Sequence, residues 1–146
     1  MKCENYMQLT FPSRSANEAF ARAAVACFAA QLDPTMDELG DIKTAVSEAV
    51  TNCIVHAYPD RIGLIALKAR ILPDGVLDLV IKDKGCGIED VEAARRPAFT
   101  TGGAERSGMG FTIMETFMTD LKVTSQPGRG TTVHMRRKIV KRGERG

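Results

Sequence analysis

The chain has no tryptophan and only two tyrosines and six phenylalanines in 146 residues, so its core must rest on aliphatic side chains rather than large rings. No apolar run approaches the ~18 residues that a membrane span requires. The opening stretch, MKCENYMQLT, lacks the apolar segment of a signal peptide. These absences argue for a cytoplasmic protein without a membrane partner. The four cysteines, Cys3, Cys27, Cys53 and Cys86, show neither C-x-x-C spacing nor a zinc pattern, which favours free thiols in a reducing compartment. Excess charge is scarce too. A formal net charge of +2 is too small to imply direct nucleic-acid binding, and the basic tail RRKIVKRGERG reads as a solvated end. With no internal repeat or low-complexity linker, a single domain over residues 1–146 is expected.

What is present is a succession of strand-period and helix-period patterns. Met7, Leu9 and Phe11 alternate as in a strand with one buried face. Ser15 and Glu18 make a capping-box signature for a helix to about Leu32, with Phe20, Ala23, Ala24, Cys27, Phe28 and Leu32 as its apolar stripe. Asp33-Pro34 breaks that helix. Thr35 and Glu38 then open a second one, which runs to about Ala57 and stops at Tyr58-Pro59-Asp60. LIALKARIL and VLDLVIK read as strands joined by Pro73-Asp74-Gly75. A glycine-rich stretch with a short acidic helix follows, then a loop and a helix from about Gly110 to Met118. LKVTSQ and TTVHMRRKIV close the chain as a hairpin around Pro127-Gly128-Arg129-Gly130. Strands and helices are segregated rather than strictly alternating. This predicts an α/β (α+β) two-layer sandwich, a mixed, mostly antiparallel sheet with helices on one face.

Three stretches carry chemistry. In SEAVTNCIVHA, Glu48, Asn52 and His56 fall four apart and form a polar ridge beside the apolar face of Val46, Ala49, Val50, Cys53 and Ile54; alone, such a ridge could equally be a solvated helix face. DKGCGIED follows a strand directly. Gly85 and Gly87 let the chain turn sharply and let a ligand approach the backbone, while Asp83 can accept a hydrogen bond from an exocyclic amine. A plain glycine turn would look the same, with Cys86 as a small filler rather than a reactive thiol. FTTGGAERSGMGF leads into a helix, where backbone N–H groups and the helix dipole favour an anion. Thr100, Thr101 and Ser107 add hydroxyls there, and Arg106 adds a charge suited to phosphate. A mobile surface loop is the alternative. Neither the Walker nor the Rossmann spacing is met.

In combination and in this order, Glu48-x-x-x-Asn52-x-x-x-His56, Asp83-x-Gly85-x-Gly87 and Gly108-x-Gly110 resemble the asparagine box and the two glycine boxes of the GHKL ATPase/kinase superfamily. That group includes gyrase, a class of heat-shock chaperones, MutL and the histidine kinases. Within it, LDPTMDEL, SEAVTN and ERSGMGFTIME closely resemble the anti-sigma F factors, serine kinases of spore-forming bacteria, and the resemblance covers nearly the whole chain.

The resemblance implies the GHKL (Bergerat) ATP-binding fold, with ATP or ADP held between the helices and a lid and Mg²⁺ bridging the phosphates. Asn52 would supply an oxygen to the metal, which suits an ion that prefers oxygen ligands and keeps several waters. Asp83 would fix the adenine amino group, with Thr131 nearby and with room for the base at Gly85 and Gly87. Ser107, Gly108, Met109 and Gly110 would meet the phosphates, with Arg106. Glu48 would be the general base that takes the proton of a serine hydroxyl, and His56 would support the site by hydrogen bonding. The implied partners are the sporulation sigma factor F, which would be bound and inhibited, and an anti-anti-sigma factor phosphorylated on serine; a homodimer is also implied. An anti-sigma kinase of the general stress response is an alternative. A nucleotide-gated sigma-binding module without kinase activity is another, though Glu48 argues against it. Relatives tend to carry a lysine and a proline in the lid where this chain has Gly102-Gly103.

Overall fold

The computed structural model describes residues 3–95 and 105–140, and of residues 105–109 the backbone alone. In chain order the elements are β1 (Asn5–Pro12), α1 (Ala16–Ala29), α2 (Met36–Asn52), β2 (Leu64–Leu72), β3 (Val76–Asp83), α3 (Val91–Arg95), α4 (Glu105–Phe117), β4 (Asp120–Gln126) and β5 (Gly130–Lys138). A short 3₁₀ turn, Ala30–Leu32, extends α1, and a π-helical turn, Cys53–Ala57, extends α2. The strands lie in the order β1-β2-β3-β5-β4, and every neighbouring pair is antiparallel. The sheet is thus more regular than the mixed one expected. After β3 the chain passes through α3 and α4, re-enters at the edge as β4, and its hairpin places β5 back beside β3.

Alternation along β3 decides which face is buried. Leu77, Leu79 and Ile81 are almost fully buried and share one core with Ile65, Leu67 and Ala69 of β2 and with Val133 and Met135 of β5. From the helical layer, α2 contributes Ile42, Ala45, Val46, Ala49 and Val50 to this core, a 3.6-residue spacing with small residues at the closest approach. Each fully buried aliphatic side chain contributes roughly 1.5–3 kcal/mol. Helices α1 and α4 both pack against α2.

The start of α2 follows the expected local chemistry. Glu38 N–H donates to Thr35 Oγ1 (3.0 Å), and Thr35 N–H donates to Glu38 Oε1 (2.8 Å). The other Glu38 oxygen accepts Val140 N–H at 3.2 Å, tying this helix start to the segment after β5. At α1 the structure departs from expectation. Ser15 already has helical backbone angles and makes no side-chain cap; Glu18 pairs instead with Arg22 at 3.6 Å. The buried stripe is Ala21, Val25, Phe28 and Ala29, whereas Ala23 and Cys27 are exposed and Phe20 is half-exposed. An alanine-rich helix offers two nearly equivalent stripes, and packing against α2 selects the one with smaller side chains. The ring of Phe20 meets Phe11 edge-on at 6.4 Å.

Between Leu77 and Leu79, Asp78 points to the opposite, helix-free face, yet it is fully buried. Arg70 donates to one carboxylate oxygen at 2.8 and 3.0 Å, and Arg136 donates to the other at 2.8 Å, where His134 Nε2 also lies. Burial alone would raise the carboxyl pKa, but the hydrogen bonds from His134, Arg136 and Arg70 outweigh it and hold Asp78 below the ordinary carboxylate value.

Candidate functional site

Where α2 passes over the ends of β3 and β5, a pocket of about 240 Å³ opens. It gathers Asn52 and His56 from the ridge, Asp83 from the end of β3, Gly87 from the stretch after it, and Thr131 from β5; Ala49, Cys53, Ala57, Ile88, Ala94, Phe111 and Val133 complete its mainly apolar wall. Segments far apart in the chain, from α2 with its π turn, the end of β3 with the loop after it, and β5, therefore meet in one pocket.

The polar floor is built by strand register. Asp83 lies opposite Thr131, which lies opposite Ser125, so the three form one row across β3, β5 and β4 on the helix side. Asp83 Oδ1 accepts the N–H groups of Gly85 (3.0 Å) and Thr131 (3.2 Å). Among the described residues its Oδ2 meets only the thiol of Cys53, at 3.5 Å. A thiol is a weak donor, so this oxygen keeps acceptor capacity toward the pocket. Burial first, and the neighbouring Asp83 charge second, push the Cys53 thiol well above its ordinary pKa. Cys53 therefore stays a neutral donor and a poor nucleophile.

At the other end stands Asn52, whose buried Nδ2 has no hydrogen-bond partner among the described residues. An orphaned buried amide costs about 1–3 kcal/mol, which a bound ligand would recover. A half-turn of the carboxamide exchanges nitrogen for oxygen, so the side chain can present a hard oxygen to Mg²⁺. Among the described residues no group of three His, Cys, Asp or Glu side chains forms a metal cage. That donor set suits an ion ligated chiefly by phosphate and water, with one protein oxygen. One turn earlier on α2, Glu48 lies outside the pocket lining but beside the same crossing point. A Cβ placed on Gly110 of α4 would stand 3.2 Å from both Oδ1 and Nδ2 of Asn52 and 3.4 Å from Glu48 Oε2.

The glycines after β3 serve this chain's own backbone. A Cβ on Gly87, which has a φ of +75°, would come within 2.2 Å of Gln126 O, and one on Gly85 would come equally close to Ala57 O. The loop is thereby clamped between the π turn and the end of β4. Cys86 N–H donates to Ala57 O (3.0 Å), the Cys86 thiol donates to His56 O (3.0 Å), and Gly128 N–H donates to Cys86 O (2.7 Å). Gly87 lines the pocket and Gly85 does not. All four cysteines are free of disulfides.

The start of the helix expected to meet an anion lies elsewhere than anticipated. The described part of helix α4 already includes Glu105, Arg106, Ser107 and Gly108, upstream of the start expected near Gly110. Helix-forming Glu105, Arg106 and Met109 extend the helix backwards past two glycines, one of which lets α4 touch α2. The side chains of Arg106, Ser107 and Met109 lie outside the described residues, as do Thr100, Thr101 and the Gly102-Gly103 pair. Sequence reasoning placed Cys53 only on the apolar face and did not single out Ile88, Phe111 or Ser125. For Cys53 a signal existed, since it adjoins Asn52 and could face a strand-ending acid.

Residues 11–137 match the histidine kinase-like ATPase domain family. The anti-sigma F factor of Caldanaerobacter subterraneus subsp. tengcongensis is 58% identical over 140 residues, covering 95% of this chain and 97% of that protein. The anti-sigma F factor of Geobacillus kaustophilus is 55% identical over 139 residues, covering 94% of each. Among solved structures, the RsbU and RsbW domains from Mycobacterium tuberculosis superpose with a TM-score of 0.69 at 18% identity, over 92% of this chain and 32% of that one. The histidine kinase domain of a blue-light activated kinase from Erythrobacter litoralis gives 0.54 at 21% identity, over 84% of this chain and 60% of that one. These two structural likenesses speak to fold alone. No helix among the described residues is long and apolar enough to cross a membrane.

Proposed function

The chain belongs to the histidine kinase-like ATPase family, and on that premise we propose that it is an ATP-dependent protein serine kinase that also binds and inhibits the sporulation sigma factor F. Its phosphorylation substrate would be a serine on the anti-anti-sigma factor, and its working form a homodimer. The anti-sigma F factors to which it is similar along almost their whole length support the choice of partners. The observation that carries the catalytic reading is one pocket holding an Asp83 oxygen whose partner among the described residues is a weak thiol donor, and an Asn52 amide nitrogen with no partner among them. Glu48 stands one helical turn beyond Asn52.

In this reading Asp83 accepts the amino group of adenine beside Thr131, and the apolar wall around Phe111 and Val133 takes the ring. Asn52 holds Mg²⁺, which when bound neutralises charge on the phosphates. The first turn of α4 offers N–H groups to the same phosphates. Glu48 accepts the proton of the substrate serine as its oxygen bonds to the γ-phosphorus; the bond to the bridging oxygen breaks, and ADP leaves with that electron pair. His56 helps fix the wall beside Asn52.

The test mixes the protein with Mg²⁺, ATP and a candidate anti-anti-sigma protein and assays phosphoserine. Glu48→Gln is expected to lower transfer at least a hundredfold, in the range of general-base catalysis, while ATP affinity stays within about twofold. Undiminished transfer in that variant would remove Glu48 as the base. Sigma factor binding is tested separately, by co-purification with and without nucleotide.

A further inference from the structure

Ser125 contributes nothing to the pocket lining, yet its hydroxyl sits at the end of the row Asp83–Thr131–Ser125 and touches three groups. It accepts the N–H of Ile88 at 2.7 Å, and it lies 3.0 Å from Gly130 O and 2.8 Å from Thr131 Oγ1. A serine hydroxyl has one proton and two lone pairs. Ile88 takes the first lone pair. A carbonyl can only accept, so the contact with Gly130 O requires the Ser125 proton. What remains is the second lone pair, and the Thr131 contact is satisfied only if Thr131 donates to it. The reverse assignment would set Ser125 and Gly130 lone pair against lone pair at 3.0 Å and leave one lone pair idle.

We infer that Ser125 is a positioning residue for nucleobase selection: it takes the Thr131 proton, so that Thr131 presents only lone pairs to the pocket. Beside it, Asp83 Oδ2 is also an acceptor. The floor thus offers acceptors alone and selects a base edge bearing an exocyclic amino group, whose two hydrogens can both be received. A base with a carbonyl at that position meets lone pairs instead. The same hydroxyl holds the backbone of Ile88, a wall residue of the pocket. This inference rests on the adenine-nucleotide reading of the site and adds what sets the polarity of its floor.

The experiment is equilibrium binding of ATP and GTP, with Mg²⁺, to the full chain and to Ser125→Ala, Ser125→Thr and Thr131→Val. In Ser125→Ala, Thr131 is released to turn its proton toward a carbonyl, so the ATP-over-GTP preference is expected to fall roughly tenfold, the worth of about one hydrogen bond. Ser125→Thr keeps the hydroxyl and is expected to keep the preference within about twofold. Thr131→Val should lose preference on its own, and it carries the test if Ser125→Ala does not fold. A purely structural role for Ser125 would weaken both nucleotides equally and leave the ratio unchanged; that result, or an unchanged ratio in Thr131→Val, overturns the inference while the ATP reading stands. Failure of the unaltered protein to bind either nucleotide overturns both.

Discussion

Gly110→Ala is expected to leave the fold as stable as before or slightly more so, while weakening binding of magnesium-ATP at least tenfold. The residue lies inside α4, where alanine is favoured over glycine by about 0.8–1 kcal/mol. Against that gain stands a new Cβ at 3.2 Å from both terminal atoms of Asn52 and 3.4 Å from Glu48 Oε2. Those distances are short enough that Asn52 must give way by a few tenths of an ångström. The side chain can do so at little cost to the fold, because its Nδ2 has no hydrogen bond to lose among the described residues. The melting temperature should therefore rise by no more than about 4 °C, or stay where it is. A magnesium ligand is less forgiving, since Mg²⁺ demands near-octahedral geometry and functional groups must be held within about 0.5 Å of the productive position. A tenfold loss corresponds to about 1.4 kcal/mol. Calorimetric titration with ATP, in magnesium and in chelator, together with a thermal scan, separates the two effects: affinity without the metal should move far less. An unchanged magnesium-ATP affinity in a well-folded variant would refute the argument that Gly110 exists to seat Asn52.

Three further outcomes are expected. Asp83→Asn should reduce ATP affinity about ten- to a hundredfold, in line with the loss of a charged acceptor, and leave GTP affinity nearly unchanged; competition binding checks this, and an unaltered ratio would count against Asp83 as the base-reading group. Asp78→Asn should destabilise the fold at pH 7 by about 2 kcal/mol, less than for a fully buried ion pair because Arg70 and Arg136 remain partly exposed. The folded carboxyl lies below its ordinary value of 3.8, so its contribution is complete above about pH 4 and is lost as the pH falls through the folded value. Urea unfolding at pH 7 and pH 3 should thus show the gap between variant and parent narrowing in acid, and a constant gap would contradict the sign. Thr35→Ala should cost about 1 kcal/mol through loss of the cap; an unshifted urea midpoint would mean that the interaction of Glu38 with Val140 alone fixes that helix start.

What sequence alone made legible was mostly local. Thr35 and Glu38 are three residues apart and cap α2 as their chemistry demands. Asp83 terminates β3, and Asn52 and His56 share a helix and its π-turn extension, so these pocket residues were open to local reading in two short stretches. Where two local solutions were equally good, only packing could choose. On α1 the stripe through Phe20 and Cys27 competed with the one through Ala21 and Val25, and contact with α2 decided between them. The start of α4 was misplaced for a related reason. Glycine signals a helix boundary locally, yet Gly110 is mid-helix because another helix crosses it. The Cys53–Asp83 contact and the Asp83–Thr131 step of the row ending at Ser125 join residues 30 and 48 apart and depend on exact strand pairing, neither of which periodicity encodes.

Tyr58 closes the ridge-bearing segment, and its phenol oxygen donates to Leu64 O and accepts Lys84 N–H, each at 2.7 Å. One rigid ring thus pins the exit of the π turn, the first residue of β2 and the residue after Asp83 to a common point. The two sides of the cleft at that end cannot hinge independently; they form a single socket shaped before any guest arrives. Little ordering entropy should be spent at that end on binding, and on the proposed reading a change of shape that distinguishes a triphosphate from a diphosphate belongs to the far end, along α4.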